Sequence, residues 1–486
     1  MKTVFSFIKK RMSFILLIIQ FMVSVVFSIC IYLLDILPIL YYVLLNGILI
    51  VLFILSIYLM KHKQHQKKDS IKNRLGKIIS ILMSIVLMVG SIYIVKSEDL
   101  LNSISDSTTQ TNTISVIVLK KSSYQELEDV VDCVFGYNSS VGTDALTVTL
   151  DAIIEEIGMI ESVDYEDFDL MAQSLYDGDC EVVVMDEAYR VILENEYESF
   201  DSDTRVIWQY NYETALENFA KNVEVTEQAF IVYISGIDTT GSVSTLSRSD
   251  VNMVVAINPT TKQILMLSIP RDYYVDMGDI GYDKITHAGL YGIQTSVETV
   301  ENLLDIEVNY YAKVNFTSLV NIVDALGGIT VYASQDADLM HGGSVTEGYN
   351  EMDGELALSF ARERYSYIDG DNQRVKNQQE VLKALIDKAT SAAILTNYSD
   401  VLSAIYDSME TNMSTSEITS IIKMQLRDGA EWEIQTCQLS GSETYMYGGA
   451  LMPSYYLYYT LPDQDSIDEC VGYINNVLNG EEYTVE

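Results

Sequence analysis

The chain has 486 residues and a net charge of -39, length enough for two or three domains. An acidic excess of that size excludes an exterior built to grip DNA or RNA phosphates, which it would repel. The charge is unevenly shared: residues 1–96 carry 12 Lys and Arg against 2 acids, leaving 18 bases and 67 acids for the rest. Such a split within one chain points to two compartments.

Three apolar runs, 12–34, 36–60 and 78–95, each approach the ~20 residues needed to cross a bilayer. Asp35 and Pro38 mark a turn between the first two. Lys2, Lys9, Lys10 and Arg11 precede the first run; Lys61, Lys63, Lys67, Lys68, Lys72, Arg74 and Lys77 lie between the second and third. Basic flanks stay on the cytoplasmic side, so the third helix exits outward and everything after about residue 97 is expected outside the membrane. The organisation expected is a membrane anchor over 1–97, an extracytoplasmic accessory domain over 98–222 and a larger domain over 223–486. Cys133, Cys180, Cys437 and Cys470 lie outside. Their spacing suggests the pairs 133–180 and 437–470, with free buried thiols an equal alternative.

In the accessory region, 98–112 reads as a linker, 115–119 as a buried strand, 124–135 as a helix and 146–150 as a strand. Helices over 152–160 and 168–175 and a strand over 180–185 complete a small α/β unit. It holds no constellation of chemical residues, so a spacer or accessory role is preferred to polymer binding.

The larger domain opens with an apolar strand, 229–235, ending in Gly236-Ile237-Asp238. A Thr/Ser/Gly loop leads to Arg248-Ser249-Asp250. Two β-branched runs, 250–257 and 263–269, flank a break at Asn258-Pro259, the pattern of a hairpin. Pairing about that turn sets Asp250 opposite position 270 or 271, beside Arg271. Thr295 and Glu298 read as a capping box. Helices over 316–326, 352–361, 371–388 and 466–478, with strands over 329–332 and 432–439, give a mixed central sheet covered on both faces: an α/β/α layering.

The helix from Asp371 carries an anomaly. Extending its apolar stripe (Val381, Leu382, Leu385) backward reaches Gln378 and Arg374. Only eight arginines lie beyond the membrane part, and five of them, Arg248, Arg271, Arg362, Arg364 and Arg374, fall in these segments. So scarce a residue gathered in an acidic domain suggests an anion site, because the planar guanidinium matches phosphate. Arg362 and Arg364, two apart, would share one side of an extended segment. Asp238 and Asp250 fall at the same sheet edge, and paired carboxylates beside phosphate hold Mg²⁺; each alone would be an ordinary turn residue. Lys284 adds a charge. His287 is a candidate base, though a lone His is more often structural. The Tyr-rich stretch 445–459 reads as aromatic packing ahead of a glycan platform.

Taken together and in order, these pieces resemble the LytR-CpsA-Psr (LCP) family of cell-wall glycopolymer transferases over about 229–482. The matching segments are Gly236-Ile-Asp238, Arg248-Ser-Asp250, Ser268-Ile-Pro-Arg-Asp272, Lys284-Ile-Thr-His-Ala288, Ala325-Leu-Gly-Gly328, the run from Asp353 to Arg362-Glu-Arg364, and Asp371-Asn-Gln-Arg374 with Gln378. The resemblance implies an α/β/α domain that holds a polyprenyl (pyro)phosphate lipid, its tail in an apolar tunnel. It implies Mg²⁺ on Asp238 and Asp250, and pyrophosphate on Arg271, Arg362, Arg364 and Arg374. Lys284, Gln378, Arg248 and Asp371 complete the substrate site. The implied reaction is attack by a peptidoglycan hydroxyl on the glycan-linked phosphorus, with Asp371 or Asp272 as candidate base.

Three membrane helices and an accessory domain resemble the capsule-associated branch, which implies a multi-pass bacterial membrane protein with its large part extracellular. The implied partners are the lipid-linked glycan, peptidoglycan and capsule-assembly proteins, without nucleic acid. A polyprenyl pyrophosphate hydrolase and a non-catalytic lipid-binding regulator are the rival readings. Thr286 stands where the family often has Asn, and Phe360 where it often has Tyr.

Overall fold

The computed structural model describes residues 2–485 apart from 35–36, 61–70, 106–108, 141, 191, 194–196, 198, 217, 238–242, 392–400, 402–403 and 405–408. Asp35, the basic residues from Lys61 to Lys68, and Asp238 therefore lie outside the described residues. Among the described residues three helices are long and apolar enough to cross a membrane: α1 (Lys2–Leu34), α2 (Ile39–Met60) and α3 (Ile71–Ser105). They pack on one another pairwise. The 35 residues of α3 make a rod of about 52 Å, against about 30 Å of bilayer hydrocarbon. Much of the expected 98–112 linker is thus the top of this helix.

Beyond it, β1 (Thr109–Leu119), β2 (Val134–Tyr137), β3 (Glu161–Asp164), β4 (Val182–Asp186) and β5 (Thr204–Ala215) form one sheet in the order β3-β2-β4-β1-β5. Helices α4 (Thr143–Ile157) and α5 (Phe168–Asp177) cover it. Residues 146–150, read as a strand, are part of α4: Ala145, Leu146 and Ile153 form a buried helical stripe. The helix read over 124–135 is a single 3-10 turn, Leu127–Val130, followed by β2. Strand β5 carries Trp208, Tyr210 and Tyr212 at the sheet edge. Cys133 and Cys180 lie in separate hydrophobic clusters on opposite faces of this sheet, so that pairing does not occur. All five cysteines are free thiols; Cys437 and Cys470 lie side by side within one cluster.

The second sheet is mixed. Its strands β6 (Phe230–Ile237), β7 (Ser249–Asn258), β8 (Gln263–Ile269), β11 (Tyr310–Asn315), β16 (Met409–Thr411) and β17 (Glu433–Gln438) run in the order β16-β11-β6-β7-β8-β17. All seven residues of β8 are buried, as expected for a central strand covered on both faces. On one face Tyr233, Val254, Leu265 and Leu267 pack under α6 (Ile293–Leu304) and the C-terminal α11 (Gln464–Asn479). On the other, Met253, Val255, Ile264 and Met266 meet Leu382 and Ile386 of α9 (Asp371–Thr390). Helix α6 starts at Ile293 behind Gly292 with no side-chain cap, so Thr295 and Glu298 form no capping box.

Helices α7 (Phe316–Ala325) and α8 (Gly354–Arg362) share a third cluster with β12 (Ile329–Ala333) and β15 (Gly348–Met352); the two-residue strands β13 (Ala337–Asp338) and β14 (Ser344–Val345) pair beside it. Helix α10 (Thr415–Asp428) follows β16. Two hairpins complete the domain: β9 (Tyr274–Asp276) with β10 (Tyr282–Lys284), and β18 (Gly441–Met446) with β19 (Leu457–Pro462). Leu451, Met452 and Leu457 enter the cluster of Ile117, Phe168 and Met185, so the two domains share a core.

Candidate functional site

The register of β7 with β8 runs from Asn258↔Gln263 to Asn252↔Ile269, which aligns Asp250 with Arg271. Arg271 Nη1 donates to Asp250 Oδ2 at 2.9 Å. On its other side β7 breaks step with β6: Gly236 pairs with Val251 and Ile237 with Ser249. Asp250 is therefore the extra residue of a β-bulge, a device that re-aims a side chain at a sheet rim. Gly236 is required here, because a Cβ would sit 2.7 Å from that of Val251. Thr286 Oγ1 donates to Asp250 Oδ1 at 3.0 Å, so the departure from Asn still supplies a donor. Burial alone would push the Asp250 carboxyl up, but the guanidiniums of Arg271, Arg248 and Arg374 outweigh it and hold the group below the usual carboxylate range.

Arg374, one turn into α9, is anchored by Asp371, with Nη2 2.9 Å from Oδ1. It lies close enough to Arg271, Asp250 and Arg364 to feel their charges, and burial pushes its pKa down. Arg271 is likewise in reach of Asp272 and Asp371. Four short segments, around 248–250, 271, 364 and 371–374, thus meet at one sheet end. Arg271 Nε and Arg374 Nε are buried and make no hydrogen bond among the described residues, the Asp272 carboxylate standing 3.5 Å from Arg271 Nε without bonding it. Buried donors left unmatched cost about 1–3 kcal/mol each, and a phosphate oxygen is the acceptor that would satisfy both.

The remaining expected residues surround this centre. Lys284 Nζ donates to Asp272 Oδ1 at 2.6 Å and stands 5.5 Å from the Tyr459 ring. Arg362 does not stand beside Arg364 on an extended segment. It closes α8 with its guanidinium 4.3 Å over the Phe316 ring, because the chain turns immediately after it. Gln378 donates to Ala361 O at 3.4 Å. His287 is enclosed, with Nδ1 3.0 Å from Asp283 Oδ1, a structural pair rather than an exposed base. Among the described residues no group of three or more His, Cys, Asp or Glu could hold a metal. Asp250, held ionised and bonded once on each oxygen, retains lone pairs that fit a hard cation; its expected companion Asp238 is outside the described residues.

On the α9 face, toward the end of the sheet formed by the 258–263 turn and away from the Asp250–Arg271 end, lies an apolar cavity of about 360 Å³. Val232, Ile257, Ala312, Ile386, Ile421 and Trp432 line it. Helix α10 and β16 contribute to its wall, and the top of α3 lies against both.

Residues 194–470 match the family model described as the LytR_cpsA_psr family. The chain belongs to that family. It is similar to the polyisoprenyl-teichoic acid–peptidoglycan teichoic acid transferase TagU of Enterococcus faecalis, 36% identical over 219 residues that cover 43% of this chain and 70% of that one. It is also 36% identical over 208 residues to the corresponding TagT of Bacillus subtilis, covering 40% of this chain and 64% of that one. The match thus spans about two thirds of these curated relatives. A solved structure of TagT bound to LIIa-WTA aligns with a TM-score of 0.44 and 30% identity over 54% of this chain and 95% of that one.

In this LytR-CpsA-Psr chain the sequence reading passed over Glu363. It is fully buried between the two arginines and accepts from the backbone N–H groups of Met340, Tyr365 and Ser366. Burial alone would raise it; those N–H donors hold its pKa down. An acid flanked by two arginines must turn away from their anion, and that alternation was the available signal.

Proposed function

We propose that the chain transfers a phosphoglycan from a polyprenyl pyrophosphate carrier to peptidoglycan, with capsular polysaccharide as the favoured glycan and an anionic, teichoic-acid-like polymer next. The observation that carries this reading is the guanidinium cluster at one end of the sheet, with buried Nε donors that make no hydrogen bond among the described residues, together with an apolar cavity farther along the α9 face. Arg271 and Arg374 grip the pyrophosphate oxygens, with Arg364 beside them. The prenyl chain lies in the cavity. A sugar hydroxyl of the acceptor attacks the glycan-linked phosphorus, the bond from that phosphorus to the bridging oxygen breaks, and polyprenyl phosphate departs. Asp272, held by Lys284, takes the hydroxyl proton. Charge neutralisation and alignment are most of what phosphoryl transfer asks of a protein.

Asp250, with Asp238, would hold Mg²⁺. When bound, the ion adds positive charge to the phosphate oxygens; Arg271 and Thr286 keep the Asp250 carboxylate oriented for it. In this reading the three apolar helices lie in the bacterial cell membrane, the basic segments face the cytoplasm and the large part works outside.

The full chain in nanodiscs with a polyprenyl-linked phosphoglycan, Mg²⁺ and peptidoglycan oligomers is expected to yield linked product. Free sugar phosphate without linkage would instead indicate a hydrolase, and lipid binding without turnover a regulator of capsule assembly. Arg374→Ala and Arg364→Ala are each expected to lower the rate at least ten-fold. Unchanged rates would remove the anion site from the mechanism.

A further inference from the structure

Four tyrosines stand on one face of the β18–β19 hairpin. In its register Met446 pairs with Leu457, Tyr445 with Tyr458 and Glu443 with Thr460, so alternation brings Glu443, Tyr445 and Tyr447 to the same face as Thr460, Tyr458 and Tyr456. Tyr445, Tyr447 and Tyr456 are each about 60% exposed. Their rings touch in series: Tyr458 to Tyr445 at 5.5 Å, Tyr445 to Tyr456 at 6.0 Å and Tyr456 to Tyr447 at 5.1 Å. The opposite face holds Leu457 and the buried Tyr459. Packing therefore already has its aromatic surface, and the outward row is not needed to close a core. Apolar patches that persist in water mark a binding surface.

The row leads into the site. Thr460 N donates to Asp272 O at 2.8 Å, and Tyr458 is close enough to feel the Asp272 carboxylate. From Thr460 the successive face positions Tyr458 and Tyr456 recede from Asp272 by about 7 Å each. We propose that this tyrosine row binds the glycan strand of the peptidoglycan acceptor, sugar faces on the phenol rings and sugar hydroxyls on the phenol oxygens, and guides one hydroxyl to Asp272.

Two arguments select the acceptor over the donor's polymer. Attacking and leaving oxygens lie roughly in line across the phosphorus. The cavity for the leaving lipid is on the α9 face of the sheet, whereas the hairpin joins the opposite face through Tyr273. A nucleophile opposite the leaving group therefore arrives from the hairpin side. Glu443 also adds a carboxylate to that side, which disfavours a phosphate-rich polymer more than a strand whose charges are only the lactyl carboxylates of alternate sugars. The inference rests on the transfer reading above.

Its test is direct binding of peptide-free oligosaccharides of alternating N-acetylglucosamine and N-acetylmuramic acid to the full chain in nanodiscs, alongside the acceptor KM. Tyr445→Ala with Tyr456→Ala is expected to raise both the oligosaccharide Kd and the acceptor KM about ten-fold or more. Polyprenyl phosphate affinity and thermal stability should stay unchanged, since both side chains face solvent. Tyr445→Trp with Tyr456→Phe should keep the affinity. An unchanged Kd and KM in the alanine variant overturns the proposal while leaving transfer standing. Tyrosine-dependent binding by a chain that never transfers sustains the platform and sinks the transfer reading. Loss of a phosphate-rich donor oligomer in place of the acceptor sugar overturns the acceptor assignment.

Discussion

Asp186 shows what one buried acid does to a whole domain. Its Oδ1 accepts from Ala188 N at 2.9 Å and its Oδ2 from Asn112 Nδ2 at 2.7 Å. Burial nevertheless dominates and pushes its pKa up to about 6. Between the unfolded value, about 3.9, and about 6 the folded state binds the extra proton, so stability falls as pH rises through this window and the loss is complete above it. Asp186→Asn, with Asn112 turned to accept, is expected to raise accessory-domain stability by about 2 kcal/mol at pH 7.5 and to change little at pH 4. Melting curves at the two pH values check this, and a lower melting point at pH 7.5 would refute it. Thr286 contributes through one hydroxyl. Thr286→Ala leaves Asp250 Oδ1 without its donor and should cost about 1–2 kcal/mol, while Thr286→Asn should restore most of it; urea unfolding of the three forms measures both.

At the scale of elements, the bulge is the device that matters. Gly236→Ala forces β6 away from Val251 and should destabilise the sheet by about 1–3 kcal/mol while weakening polyprenyl phosphate binding. Val251→Ala should recover part of both losses, and a second variant no better than the first would show that crowding is not the cause. The hairpin of β7 and β8 was legible because β-branched runs around Asn-Pro carry a strong local signal, and its register followed from arithmetic along two strands. The bulge was not legible, since it depends on how β6 and β7 fall out of step. Helix α4 was misread because Leu146 to Leu150 alternates locally, and only its neighbours Ala145 and Ile153 reveal the longer period. The arginines could be counted from sequence, but the stacking of Arg362 on Phe316 depends on how α8 meets α7, which no local pattern records.

The whole molecule couples its two extracytoplasmic parts. Thr111 of β1 exchanges backbone hydrogen bonds with the segment before Asp250: its N–H donates to Ser244 O at 3.0 Å, and Leu246 N–H donates to its carbonyl at 3.3 Å. Lys313 Nζ donates to Thr245 O at 3.1 Å from the other side. The accessory domain therefore holds the 244–246 segment that leads into Asp250. Thr111→Pro removes one of those donors and is expected to lower transfer several-fold with lipid affinity little changed; equal loss of both would mean general misfolding.

Helix α3 sets a bearing as well as a height. It is continuous from its apolar segment to the wall of the cavity, so each residue added within it rotates the catalytic part about 100° around the helix axis and lifts it about 1.5 Å. Five residues inserted after Val95 would turn the cavity by about 140° and raise it about 7 Å; seven would return it to within about 20° and raise it about 10 Å. The longer insertion is expected to keep more transfer activity than the shorter one in the same nanodiscs. Rank order by length alone would mean that reach, and not compass heading, governs how the carrier lipid finds its cavity.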